Sequence, residues 1–149
     1  MDPTSVRLAV VDDLDALRGV YQDASLSNEH DRPNLLGHPE LLDLDPAGVR
    51  EGRTFAAIDD GVVVGFATYA PHPTHVELEA LFVDPGHRRR GHAMRLMDMV
   101  VETARRAGVA RVEVTANEHA GDFYDAAGFV QVGMVETLFG PVPRMHRTM

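Results

Sequence analysis

Three adjacent arginines and a glycine, within Arg88-Arg89-Arg90-Gly91-His92-Ala93, stand where an apolar, β-branched run ends at Asp84-Pro85-Gly86 and a helical pattern begins. Residues of these types in this order have the chemistry of an anion site. The first N–H groups of a helix lack intrahelical acceptors, and the helix dipole adds partial positive charge there. Gly91 and Ala93 keep side chains from blocking a pyrophosphate, and the arginines stay charged at any physiological pH. The plainer alternative is an arginine-rich loop that solvates a helix start. Neither GxGxxG nor GK[ST] occurs, so the segment is not a Rossmann fingerprint or a P-loop.

A second cluster lies just upstream. In His75 to Val83, Val76, Leu78, Ala80 and Phe82 alternate with Glu77, Glu79, Leu81 and Val83, which places both glutamates on one face of a strand. One glutamate can serve as a base if burial beside the other carboxylate raises its pKa, or the pair can line a solvated face. Glu113 has a similar setting on a later strand and is the weaker candidate. His72-x-x-His75 reads through two prolines instead of along a helix face and has no cysteine to support it, so no metal is expected there. These histidines border a loop where they could shape or deprotonate a substrate, or simply face solvent. Met94, Met97 and Met99 read as packing residues.

Composition removes several mechanisms. All 14 basic residues are Arg, and Cys and Trp are absent. There is no thiolate nucleophile or disulfide, and no lysine for a Schiff base or a Walker-type phosphate grip. The formal charge of −9 argues against broad binding to nucleic acid or anionic lipid, because counterion release needs a basic face. The charge is also uneven: residues 1–70 hold 13 acids and 5 Arg, and residues 71–149 hold 10 acids and 9 Arg. No stretch approaches the ~20 apolar residues of a membrane span, since Val62 to Ala70 contains Gly65 and Thr68. MDPTSVR lacks the basic leader and apolar core of a signal peptide, and a cytoplasmic location is expected.

At the arginine-rich junction the sequence resembles the GNAT superfamily of acyl-CoA-dependent N-acetyltransferases. That family opens its central helix with Q/R-x-x-G-x-G/A after a strand ending like LFVDP, and Arg88-x-x-Gly91-x-Ala93 matches. A second match is Asn117 through NEHAGDFYDAAGF, similar to the family's strand-end Asn, its FY pair and the GF that opens the next strand. Two departures are His92, at a variable position, and Ala93, where Gly is commoner. The resemblance implies that the main-chain N–H groups of Arg88, Arg89, Arg90, Gly91, His92 and Ala93 hold the CoA pyrophosphate. It implies that Leu81, Phe82 and Val83 pair with the pantetheine arm. Asn117 would help to hold that arm, Phe123 would pack beside it, and Tyr124 would be the general acid near the sulfur. Glu79 is implied as the base, with Glu77 as a second candidate or as a charge anchor for a cationic amine. The chemistry is self-consistent, because a protonated amine must lose a proton before attack and the thiolate must leave beside a donor.

The elements that must position these residues are legible in outline. Val6 to Val11 predicts a strand, and Asp12 or Asp13 can cap a helix carrying Leu14, Leu17, Val20, Tyr21 and Ala24. Residues 25–43 read as a loop with a short irregular helix, and Asp45-Pro46 opens another short turn ending near Gly52. Thr54 to Ile58 and Val62 to Ala70 flank Asp59-Asp60-Gly61 as a hairpin. A long helix from about Gly91 to Ala107, stopped by Gly108, leads to a strand at Val109 to Thr115. A short helix at Ala120 to Ala127 and a strand at Phe129 to Val135 follow, and Pro141 to Thr148 supplies a last edge strand. The expected fold is one α/β (α+β) domain over residues 1–149. With the resemblance, it is a mixed, mostly antiparallel sheet of six to seven strands flanked by about four helices.

The expected activity is transfer of acetyl from acetyl-CoA, as cosubstrate, to a primary amine by direct attack in a ternary complex, without a metal. The acidic first half favours a small cationic amine. The alternatives are a protein or peptide acceptor, and a non-catalytic CoA-binding regulatory module. The carboxy-terminal strand offers an edge for a homodimer.

Overall fold

A hairpin closed by two left-handed residues sets the first half of the fold. In the computed structural model, which describes residues 4–29, 31–117 and 120–149, Asp60 and Gly61 have φ of 51° and 80°. This is the twist that a two-residue turn between antiparallel strands requires. The turn joins β2 (Thr54–Asp59) to β3 (Val62–Pro71), and β1 (Thr4–Leu8) pairs antiparallel with the other side of β2.

The first strand ends earlier than its β-branched run suggests. Val11–Asp13 forms a 3-10 turn because the Asp13 carboxylate accepts hydrogen bonds from the Val10 N–H at 2.8 Å and from Arg7 at 2.7 and 3.0 Å. The side chain closes the turn that the apolar pattern would have continued through. Helix α1 (Leu14–Leu26) follows, burying Leu14, Leu17, Val20 and Ala24 at helical spacing. The segment that read as loop carries α2 (Arg32–Leu36) and a 3-10 turn at Pro39–Leu42, and α3 (Ala47–Arg50) begins where the Asp45 carboxylate accepts from the Ala47 N–H.

β4 (His75–Val83) leads through a turn into α4 (His92–Ala107), which delivers the chain to β5 (Arg111–Thr115), parallel to β4. Parallel neighbours need such a crossover. Gly108, with φ of 73°, ends α4: its N–H donates to the Arg105 carbonyl and the Val109 N–H donates to the Ala104 carbonyl, satisfying groups the helix leaves open. Then come α5 (Gly121–Ala126), β6 (Val130–Thr137) and β7 (Gly140–Thr148). The seven strands lie in the order β1-β2-β3-β4-β5-β7-β6, antiparallel in the recorded pairings except β4 with β5, with five α-helices among the described residues.

The expectation of an edge strand at Pro141 to Thr148 is corrected. β7 lies between β5 and β6, and β6 is the edge. The division of β7 explains how it tolerates two prolines in an interior position. Its proline-free stretch, Arg144 to Thr148, pairs with Thr115 to Arg111 of β5, while Pro141 and Pro143 oppose Glu136 and Met134 of β6.

The chain forms two compact units, residues 1–68 with 80–96, and residues 69–79 with 97–149. In the first, Ala9, Leu14, Leu17, Val20, Val49, Ala56 and Phe66 form a buried cluster against which Tyr21 and Phe82 pack. In the second, Val76, Leu78, Met97, Val100, Val112, Val114, Phe129 and Met145 are buried.

Candidate active site

The turn after β4 is built by one aspartate. The Asp84 carboxylate accepts from the Gly86 N–H at 3.1 Å and lies 2.8 Å from His87 Nδ1, which winds Pro85–His87 into a single 3-10 turn. The chain then alternates in hand: Arg88 is extended (φ −69°, ψ 160°), and Arg89 and Gly91 are left-handed with φ of 65° and 82°. Left-handed residues beside a helix start suit a site where main-chain N–H groups meet an anion. Among the described residues, none accepts a hydrogen bond from the main-chain N–H groups of Arg88 to Ala93. A Cβ on Gly91 would meet nothing within 4 Å, so glycine is needed there for its φ, beyond any need for space at a ligand.

The three arginines have separate settings. Arg88 Nη2 donates to Ser27 Oγ at 2.9 Å, and Arg90 Nη1 lies 3.3 Å from Asp59 Oδ2. Among the described residues Arg89 has no side-chain partner. His92 is turned inward, with 1% of its side chain exposed and Nε2 3.2 Å from Asp59 Oδ2, so at this surface it can contribute its main chain. Ala93 is partly buried at the first turn of α4.

Upstream, Phe82 packs its ring edge-on to Tyr21 and tilted against Phe66, at centroid distances of 5.0 and 5.6 Å. Its neighbours Leu81 and Val83 take the opposite strand face by the period of two. The β4–β5 pairing runs from His75–Arg111 to Leu78–Val114, and β4 continues to Val83 beyond that shared stretch.

In the second unit, Asn117 is exposed just after β5 and its carbonyl accepts from the Ala120 N–H. Glu118 and His119 of the same motif lie outside the described residues. Phe123 is partly buried, and Tyr124 is 6% exposed with Phe123 and Phe129 edge-on to its ring. Burial pushes the Tyr124 phenol up to about 12, and among the described residues its hydroxyl has no hydrogen-bond partner.

Glu79 is exposed on β4, and Glu77, on the same face, is engaged. Arg144 Nη1 and Nη2 donate to Glu77 Oε2 and Oε1 at 2.6 and 2.7 Å, and Nη2 also donates to Glu113 Oε1 at 3.0 Å. The hydrogen bonds that Arg144 donates to Glu77 lead the effects that raise its pKa, so this guanidinium is a fixed charge. Burial pushes Glu113 up, but hydrogen bonds from Arg144 and Arg111 outweigh it and hold the carboxyl below its ordinary range. His75 Nε2 lies 3.3 Å from Glu77, Nδ1 lies 3.5 Å from Glu113, and the ring stacks on His72. A carboxylate fixed in this network is a poor candidate for either role read from the sequence, mobile base or anchor for an incoming cation. Among the described residues no group of three or more His, Asp or Glu is arranged to hold a metal ion, and no helix is long and apolar enough to cross a membrane.

Asp59 and Arg144 carry no local signal in the sequence for these contacts. Asp59 sits inside a turn signature, and Arg144 lies 67 residues from Glu77, a separation no local pattern spans.

Residues 14–129 match the Acetyltransferase (GNAT) family model. The chain belongs to the GNAT acetyltransferase family. Solved GNAT structures share its fold. The PaiA N-acetyltransferase of Thermoplasma acidophilum, in complex with coenzyme A, superposes with a TM-score of 0.76 at 14% identity, covering 98% of this chain and 99% of that one. Ard1 of Thermoplasma volcanium gives 0.75 at 22% identity over 99% and 98%. The ribosomal-protein-S18-alanine N-acetyltransferase of Escherichia coli gives 0.70 at 18% identity over 97% and 93%. Among curated proteins none matches the chain by sequence. As a GNAT enzyme the chain is an acyltransferase that uses acetyl-CoA as cosubstrate. The Arg88–Ala93 turn fits the anionic end of that cosubstrate in its open N–H groups, its left-handed residues and its cationic surroundings.

Proposed function

We propose that this GNAT enzyme acetylates the primary amine of a small cationic acceptor by direct attack in a ternary complex. The observation that carries the cofactor side is the turn with left-handed Arg89 and Gly91 at the start of α4, whose N–H groups suit a pyrophosphate. Leu81 to Val83 extend past the pairing with β5, which suits main-chain pairing with pantetheine, and the resemblance assigns Asn117 and Phe123 to the same arm. The acceptor side is supported by charge, 13 acids against 5 Arg in residues 1–70, which raises the local concentration of a cation.

Glu79 takes the proton that the acceptor ammonium must lose. The amine nitrogen then attacks the thioester carbonyl, the N–C bond forms and the C–S bond breaks; the second proton leaves the nitrogen for the departing sulfur, and CoA leaves as the thiol beside Tyr124. A phenol at about 12 holds its proton more tightly than a thiol with an ordinary pKa of ~8.5. Tyr124 therefore donates a hydrogen bond to the leaving sulfur and keeps its proton. The chain has no cysteine to carry an acetyl group, which supports direct transfer.

Thiol release measured against a panel of polyamines, amino sugars, amino acids and peptide α-amines tests the acceptor. Turnover confined to peptides would replace the small amine with a protein acceptor. Acetyl-CoA binding without turnover on any amine would favour a regulatory CoA-binding module. Initial-rate patterns that intersect support the ternary complex, and parallel lines would overturn it.

A further inference from the structure

The Asp59-Asp60-Gly61 turn uses the backbone of its last two residues, and the Asp59 side chain has a different task. That carboxylate, at the end of β2 and 13% exposed, lies 3.2 Å from His92 Nε2 and 3.3 Å from Arg90 Nη1 through the same oxygen. His92 and Arg90 flank Gly91, the left-handed residue at the start of α4. One carboxylate therefore grips the side chains on both sides of the left-handed glycine before α4. A carboxylate this close to an anion site opposes the anion by charge alone, so its role there is through the two side chains it holds. That role is visible in the buried His92 ring, which has little freedom once Asp59 holds it.

We infer that Asp59 is a positioning residue for the phosphate end of acetyl-CoA. It does not touch the cosubstrate; it holds Arg90 and His92 so that the main chain between them is arranged for the pyrophosphate before binding. Such preorganisation raises affinity by removing the cost of ordering the turn. The inference rests on the reading of Arg88–Ala93 as the pyrophosphate site.

The test compares two acyl donors, acetyl-CoA and S-acetylpantetheine, the second of which carries no phosphate. Asp59→Ala is expected to raise the KM for acetyl-CoA about tenfold, the size of one charge-assisted hydrogen bond, with kcat nearly unchanged. The KM for S-acetylpantetheine should not move. Asp59→Asn, which keeps the shape and one acceptor oxygen, should recover part of the loss, and it serves in place of Asp59→Ala should that variant fold poorly. Equal losses with both donors, or no change with acetyl-CoA, would overturn the inference. Gly91→Val separates the positioning role of Asp59 from the pyrophosphate site itself. Loss of CoA affinity there with wild-type behaviour in Asp59→Ala overturns the positioning role alone, and unchanged affinity in Gly91→Val removes the pyrophosphate reading and this inference with it.

Discussion

Glu77 on β4 and Arg144 on β7 hold each other through two parallel hydrogen bonds of 2.6 and 2.7 Å, with about a fifth of each side chain exposed. The bidentate geometry is the strong form of the pair, and Glu113 shares the same guanidinium. Arg144→Gln leaves two partly buried carboxylates facing each other. We expect a loss of about 2 kcal/mol in urea unfolding, below the figure for fully buried pairs because water reaches this one. The double variant Arg144→Gln/Glu77→Gln should recover part of it. Additive losses would show that the two side chains are not coupled.

Tyr124→Phe keeps the ring contacts with Phe123 and Phe129 and removes the hydroxyl. Turnover should fall about a hundredfold with CoA affinity retained, since one donor to developing charge contributes on that order. Because the phenol ionises only at about 12, any alkaline fall in rate below that pH belongs to another group. An alkaline limb that disappears in Tyr124→Phe would contradict this.

Asp13 offers a pH test of stability. The hydrogen bonds from Arg7 are the main cause holding its carboxyl below the usual carboxylate value, burial opposes them, and the Val10 N–H reinforces them. A folded-state pKa below the unfolded one stabilises the protein above the unfolded value of ~3.9, and that contribution is lost as pH falls through the folded value. Asp13→Asn should cost about 1 kcal/mol at neutral pH, a modest figure because Arg7 is half exposed, and the difference from wild type should close in acid as pH falls through the folded-state value. A difference that persists in acid would mean that the effect is steric.

Gly48 sits where α3 meets the β2–β3 hairpin. A Cβ there would approach Thr68 Cγ2 to 2.5 Å and Thr54 Oγ1 to 2.9 Å, and those threonines are hydrogen-bonded to each other at 2.8 Å. Gly48→Ala is expected to destabilise by about 2 kcal/mol despite alanine's better helix propensity. A raised Tm in differential scanning calorimetry would show that α3 can shift away.

Sequence carried the elements whose signals are local. The spacing of Leu14, Leu17, Val20 and Ala24, the Asp60-Gly61 turn and the Gly108 stop all act within a few residues, and each lies where the pattern indicates. The Arg88–Ala93 turn was legible for the same reason, since a helix start and its glycine are neighbours in the chain. The pairing of β7 was not. A strand with two prolines reads as an edge, and its interior place depends on β5 pairing only with its proline-free stretch, Arg144 to Thr148. Asp59 and Arg144 escaped likewise, because their partners lie 31 to 67 residues away and no periodicity links them.

The strand order also imposes a sequence of events during synthesis. β6 reaches the sheet only through β7, which follows it in the chain. Until Gly140–Thr148 has emerged, β6 has no strand to pair with, and Val130, Val132 and Met134, still 57%, 51% and 56% exposed in the folded chain, are open to other nascent chains. Completion of this half of the sheet therefore waits for its last strand, and a stall in translation ahead of β7 would expose the chain to aggregation at β6.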